Sequence, residues 1–217
     1  MNKKVGEVFS IAADNAPIPG CTVSSALLGG EHYAAVFSLA KNTDISAELY
    51  PYHKLLIGAD GVFEVYQPDG TVREVRPGEC VVTPVDTPVG TRASVPAVYT
   101  EISIGRENIM NEVIKPGEVF KLADLVPYQE GKIVNMDIVH TDKMKFVVMA
   151  FAAGTGLTPH AAPGEALIFA LEGEGVIGYE GKDHPIKAGE QFHFAKGGMH
   201  SVTAKGPFKM ALFLTLE

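Results

Sequence analysis

Tryptophan is absent from this chain of 217 residues, and cysteine occurs only twice, at Cys21 and Cys80. The two cysteines are far apart, which suggests neither a disulfide framework nor a zinc ribbon; two thiols in a reducing cytoplasm is the simplest reading. No apolar run approaches the roughly eighteen residues that a membrane-crossing helix requires. The segments "AVFSLA" and "MKFVVMAFAAG" are both short, and the two N-terminal lysines precede no signal-like apolar core. A basic block is missing too: 18 lysines and arginines stand against 26 acidic residues, for a formal net charge of -8. A phosphate backbone would be repelled, so nucleic acid is an unsuitable partner. Together these absences predict a soluble, cytoplasmic protein with neither a nucleic-acid nor a membrane partner.

Glycine (23) and proline (14) are plentiful, and they punctuate short apolar runs from end to end. Hydrophobic residues make up 46% of the chain, enough to supply a core. Many short runs bounded by turn residues predict an all-β protein.

The chain is also written twice. "KVGEVF" at 4–9 returns as "KPGEVF" at 115–120, an offset of 111 (115 − 4). At that offset Ala12 meets Ala123, Gly20 meets Gly131 and Val23 meets Val134. After one extra residue in the second copy, Ala40 meets Ala152, Pro51 meets Pro163, Leu55 meets Leu167 and Gly61 meets Gly173; "RPGEC" at 76–80 then answers "KAGEQ" at 187–191. So regular an offset predicts two copies of one domain, about 1–110 and 111–217. Each copy opens on a stretch with room for one helical turn and a strand or two. Seven or more short strands follow, such as "KFVVMAFAA", "EALIFALEG" and "QFHFAK". In "FKMALFLTL", Phe208, Met210, Leu212 and Leu214 share one face, as in a half-buried strand. The expected architecture is an antiparallel sandwich or barrel with protected edges.

The second copy carries Gly154, Thr155, Gly156, His160, Pro163, Gly164 and Gly173, then Gly189, Glu190, Gly197 and His200. This pattern resembles the two motifs of the cupins, G-x5-H-x-H-x3-E-x6-G and G-x5-P-x-G-x2-H. With two copies, the whole chain resembles a bicupin, which implies two tandem jelly-roll β-barrels. The family hosts isomerases, dioxygenases, lyases, storage proteins and sensors, so the fold alone does not name a function.

Departures from the motif are as informative as matches. The family's second histidine and its acidic ligand fall at Ala162 and Ala166, leaving His160 and His200 as the metal-ligand candidates. Glu165 and His193 are the further candidates. Glu165 lies five residues from His160, which in an extended strand puts it on the opposite face unless Pro163-Gly164 resets the register. His193 faces away from Phe192 and Phe194, and His184 shares parity with Ile186; hydrogen-bonded structural roles compete with ligation at both. A two-imidazole site implies at most a weakly held divalent ion such as Zn, Fe, Mn or Ni. The expected pocket walls are Phe169, Phe194, Met199, Met210 and Leu212.

In the first copy, Glu48 aligns with His160, Tyr50 with Ala162, His53 with Glu165 and Val89 with His200, so no imidazole remains at the motif positions. Glu48, Tyr50 and His53 could line a polar pocket of their own, or this barrel could serve packing alone. The resemblance leaves several readings open. One is a small-molecule site in the second barrel, with metal-assisted isomerisation, lysis or dioxygenation of a small oxygenated substrate if it is catalytic. The others are a non-catalytic metabolite sensor and a structural bicupin with both sites inactive. The resemblance also implies a homodimer.

Overall fold

The computed structural model describes residues 4–30, 33–107 and 109–216. Among them, the helix Ile11–Asp14 and the 3-10 turn Leu122–Leu125 are the only helical elements, and strands form the rest of the framework. The two turns are the same element in the two copies, 111 residues apart. Later strands repeat likewise: Thr22–Leu28 answers Ile133–His140, and Ala97–Ile104 answers Phe208–Thr215.

The first compact unit is a two-sheet antiparallel sandwich. Its larger sheet runs in the order Val119–Lys121, Glu79–Val82, His53–Asp60, Ala97–Ile104, Ala34–Leu39, Thr22–Leu28. The smaller runs Thr43–Glu48, Val89–Ala93, Phe63–Tyr66, Val72–Val75. Period-two alternation sends Leu39, Leu56, Val81 and Tyr99 from one sheet and Phe63, Val65 and Ala93 from the other into a shared core.

The second unit has the same plan with one long strand, Glu165–Tyr179, serving both layers. Its first half pairs with Gln191–Phe194 and Phe208–Thr215, and its second half with Lys182–Lys187 and Met199–Thr203. The register shifts between Ala170 and Glu172, where a bulge lets the strand bend. Phe151, Phe192, Phe194, Phe208 and Met210 fill the core, with Ala162, Ala166 and Ile168 between them. Phe208, Met210 and Leu214 belong to that core and Leu212 packs on it, as their shared parity predicts.

The compact units are not the halves of the chain. Among the described residues, one comprises 11–30, 33–107 and 112–121, the other 4–10, 109–111 and 122–216. Val8 and Phe9 pair with Phe192 and Gln191, whereas the repeat-equivalent Val119–Lys121 pairs with Glu79–Val81. The segments that announce the repeat, at 4–9 and 115–120, are thus exchanged between the sheets. A single cut between 110 and 111 separates each from the strand it completes.

Candidate functional site

His160, near the end of strand Gly156–Ala161, lies directly opposite His200 of strand Met199–Thr203. Their ring centroids are 4.1 Å apart, with planes tilted by 53°. His160 is exposed, whereas His200 retains 8% of its surface and packs on Phe194 at 4.3 Å. The pair therefore spans the boundary between the core and solvent.

Each ring is anchored in the same way. Nδ1 of His160 lies 2.8 Å from the Thr158 carbonyl, and Nδ1 of His200 lies 3.2 Å from the Gly198 carbonyl. A carbonyl only accepts, so both Nδ1 atoms carry the proton and both Nε2 atoms present lone pairs. Burial holds the His200 pKa below its ordinary value, and the neighbouring His160 pushes in the same direction. The buried ring is accordingly neutral near pH 7, with its Nε2 lone pair as a hydrogen-bond acceptor.

Cupins commonly bind metals, but this donor set does not fit a resident metal centre. Ala162 and Ala166 are buried in the apolar core and offer no ligand atom. Among the described residues, no group of three or more His, Cys, Asp or Glu side chains is placed to hold an ion. Two imidazoles leave at least two positions of a tetrahedral shell unfilled.

Glu165 and His193 do not supply them. Ala166 pairs with Phe194 and Leu167 with His193; Ala166 and Phe194 point into the core, so Glu165 and His193 lie on the opposite face of the sheet. There they form a pair of their own, His193 Nε2 to Glu165 Oε1 at 2.8 Å. Pro163-Gly164 therefore does not bring Glu165 round to the His160 side. His184 is half-buried, its ring 5.1 Å from that of Phe192, in keeping with its parity with the core residue Ile186.

Of the expected pocket walls, Phe194, Met210 and Leu212 face the core. Two do not. Phe169 is buried, but it alternates with the inward-facing Ile168 and Ala170 and so points to the other face. Met199 precedes the inward-facing His200, points outward, and is 45% exposed. The core beside the histidines is occupied by aromatic rings, with Phe192, Phe194 and Tyr179 in mutual contact at 5.1 to 5.6 Å.

The first unit differs in its interior chemistry. A cavity of about 80 Å³ is lined by Tyr50, Lys54, Thr83, Thr87, Thr91, Tyr99 and Glu101 together with apolar side chains. The Tyr50 hydroxyl donates to the Glu48 carboxylate, a bond that is the main cause raising the Tyr50 pKa above its usual value. His53 is not a wall residue: its Nδ1 donates to the Thr83 carbonyl at 2.6 Å, and alternation sends it to the face opposite Lys54. Alignment to the metal motif drew attention to residues 48, 50 and 53 and passed over Lys54 and Glu101. A usable signal was present, a charged residue inside each of the apolar runs "HKLLIGA" and "AVYTEISI".

The Cupin domain family matches residues 147–216, within the second unit. A "Cupin 2 conserved barrel domain protein" from Leptotrichia buccalis matches with a TM-score of 0.87 and 27% identity, over 99% of each chain. Salicylate 1,2-dioxygenase from Pseudaminobacter salicylatoxidans matches at 0.64 and 13% identity, over 89% of this chain and 76% of that one. A putative glyoxylate induced protein from Pseudomonas aeruginosa matches at 0.60 and 17%, over 89% and 78%. No match is found among curated proteins. No helix among the described residues is long and apolar enough to cross a membrane. The Cupin domain match over residues 147–216 and the structural match to a cupin barrel protein support the cupin superfamily for this chain.

Proposed function

We propose that the second barrel binds a small molecule at its rim, with Nε2 of His160 and of His200 accepting hydrogen bonds from the same ligand. The observation that carries this reading is the matched anchorage of two neighbouring imidazoles, each held by the carbonyl two residues earlier in the chain. Such fixed orientation is what a recognition site requires and what a solvated surface histidine lacks. A ligand bearing hydroxyl groups fits two adjacent acceptors. The aromatic filling of the core favours capture at the rim, as in a metabolite sensor, over turnover in a deep pocket. A divalent transition ion such as Zn, Fe, Mn or Ni would bind there weakly and exchange readily.

The likeness to a salicylate dioxygenase, at 13% identity, supports a shared fold and not a shared reaction. We further propose a cytoplasmic homodimer with no nucleic-acid or membrane partner. The net charge of -8 supports the former exclusion, and the partly exposed strand Thr22–Leu28 at one end of its sheet supports an edge in need of cover.

The test is thermal melting of protein purified without a metal-affinity step, against a pool of small hydroxylated metabolites and against Zn, Mn, Fe and Ni salts. Elemental analysis should find well below one metal per chain. At least one pool member should raise the melting temperature of the wild type and not that of His160→Ala or His200→Ala. If no pool member shifts melting, or if both variants respond like the wild type, the reading fails.

A further inference from the structure

The two barrels share an architecture but not an interior. At the positions where the second holds Ala166, Phe194, Val202, Met210 and Leu212, the first holds Lys54, Thr83, Thr91, Tyr99 and Glu101. The apolar set is the expected filling of a small barrel. A buried ion pair is seldom more stabilising than apolar packing of similar volume, because both charges must be stripped of water. The polar set therefore calls for a role other than holding the barrel together.

Its members are closely arranged. Lys54 and Glu101 keep 14% and 6% of their side-chain surface, and Nζ lies 3.2 Å from Oε1. The Tyr33 hydroxyl donates to the same Oε1 at 2.6 Å. Both bonds fall on one carboxylate oxygen, so Oε2 is left as an acceptor. Lys54 Nζ also sits 3.5 Å from the centre of the Tyr50 ring, which with Glu101 accounts for two of the three ammonium hydrogens. The Thr91 and Tyr99 hydroxyls bond to each other at 3.0 Å; one is the donor, and the other keeps a hydrogen to offer. Apart from Thr83 and Thr87 the rest of the wall is apolar, with Phe37 stacked on Tyr99 at 5.2 Å.

The geometry points to a second ligand site inside the first barrel, for a small uncharged compound bearing both a hydroxyl and a carbonyl or amide group. The carbonyl oxygen accepts from Lys54 and the hydroxyl donates to Glu101. The volume of about 80 Å³ admits only a few non-hydrogen atoms. Net charge in the cavity is zero from Lys54 and Glu101, and Glu48 beside Tyr50 adds a negative charge nearby. An anionic ligand would meet the Glu101 carboxylate with its own Lys54 counter-charge already engaged, so anions are disfavoured. This site is independent of His160 and His200, which belong to the other unit.

Glycolamide, small and neutral with both groups, is a suitable probe, and glycolate is its near-isosteric anion. Binding of each to the full chain is followed by calorimetry and by ligand-observed NMR. Glycolamide is expected to bind saturably to the wild type and to His160→Ala. It should lose about tenfold or more in affinity in the Lys54→Ala/Glu101→Leu double variant, which installs the second barrel's residues. That variant should melt no lower than the wild type. Should it fail to fold, Tyr99→Phe, which removes a single hydroxyl, is expected to weaken glycolamide binding severalfold. No saturable glycolamide binding, tighter binding of glycolate, or binding that the folded variants leave intact would overturn the proposal.

Discussion

His160 and His200 are paired residue to residue across two antiparallel strands, one ring exposed and the other buried against Phe194. Burial disfavours the imidazolium of His200, so its folded-state pKa lies below the unfolded value of about 6.5. Between those two values the unfolded chain binds the extra proton. Stability is then complete above pH about 6.5 and declines as pH falls toward the folded pKa. Melting at pH 5.5 should occur below melting at pH 7.5, and His200→Gln should reduce that difference. An unchanged slope in the variant would assign the pH dependence to other groups. The ring-proton NMR titration of His200 should have its midpoint below that of an exposed histidine.

Gly61 and Gly173 impose the same constraint on both barrels. Each has positive φ, 64° and 69°, and a Cβ added to either would lie 2.0 Å from a backbone carbonyl oxygen, of Pro96 and Pro207 respectively. Backbone cannot yield as a side-chain tip can. Alanine at either position should cost at least ~2 kcal/mol of stability in chemical denaturation. A near-neutral Gly173→Ala would mean that the turn relaxes away from Pro207.

These glycines also show what was legible beforehand. Their alignment at an offset of 112 marked a shared turn, and the alternation of Phe208, Met210, Leu212 and Leu214 marked an inward face, because turn chemistry and period-two packing are local. Parity alone turned His193 away from Phe192 and Phe194. What escaped was non-local. Phe169 is as apolar as Ile168, and composition cannot say which of two buried faces looks into the barrel. Lys54 and Glu101 are 47 residues apart (101 − 54), and although each interrupts an apolar run, neither run says which charge the other meets. Only strand pairing, Leu55 with Ile102 and Leu56 with Glu101, brings them into one cavity.

His193 and Glu165 form a polar contact on a face the metal motif does not use. The histidine is buried and the carboxylate partly exposed, and the separation is 2.8 Å. Glu165→Gln keeps the shape and removes the charge, so it should lower stability by ~1–2 kcal/mol. Ligand binding by His160 and His200 should be unaffected, since the pair points away from them. Calorimetry on that variant separates the two outcomes, and a loss of ligand affinity without a loss of stability would place Glu165 in the site.

The exchanged segments carry the last consequence. "KVGEVF" and "KPGEVF" are nearly interchangeable as sequence, which is why the repeat cannot reveal which sheet each completes. In the fold, Val8 and Phe9 pair with Phe192 and Gln191, and the Gly6 amide donates to the His193 carbonyl at 2.9 Å. Phe9 is buried, and burying a phenylalanine contributes about 2–3 kcal/mol. Deleting residues 1–10 should therefore weaken the second unit, although those residues lie at the far end of the chain from most of it. Amide hydrogen exchange should speed up along Gln191–Phe194, whose edge loses its cover, and remain slow along Ala97–Ile104 in the first unit. Equal acceleration in both strands would indicate that the first ten residues stabilise the whole chain and not one sheet. No acceleration in either would show that the Val8–Phe9 pairing contributes little, and would favour a division of the units close to residue 110.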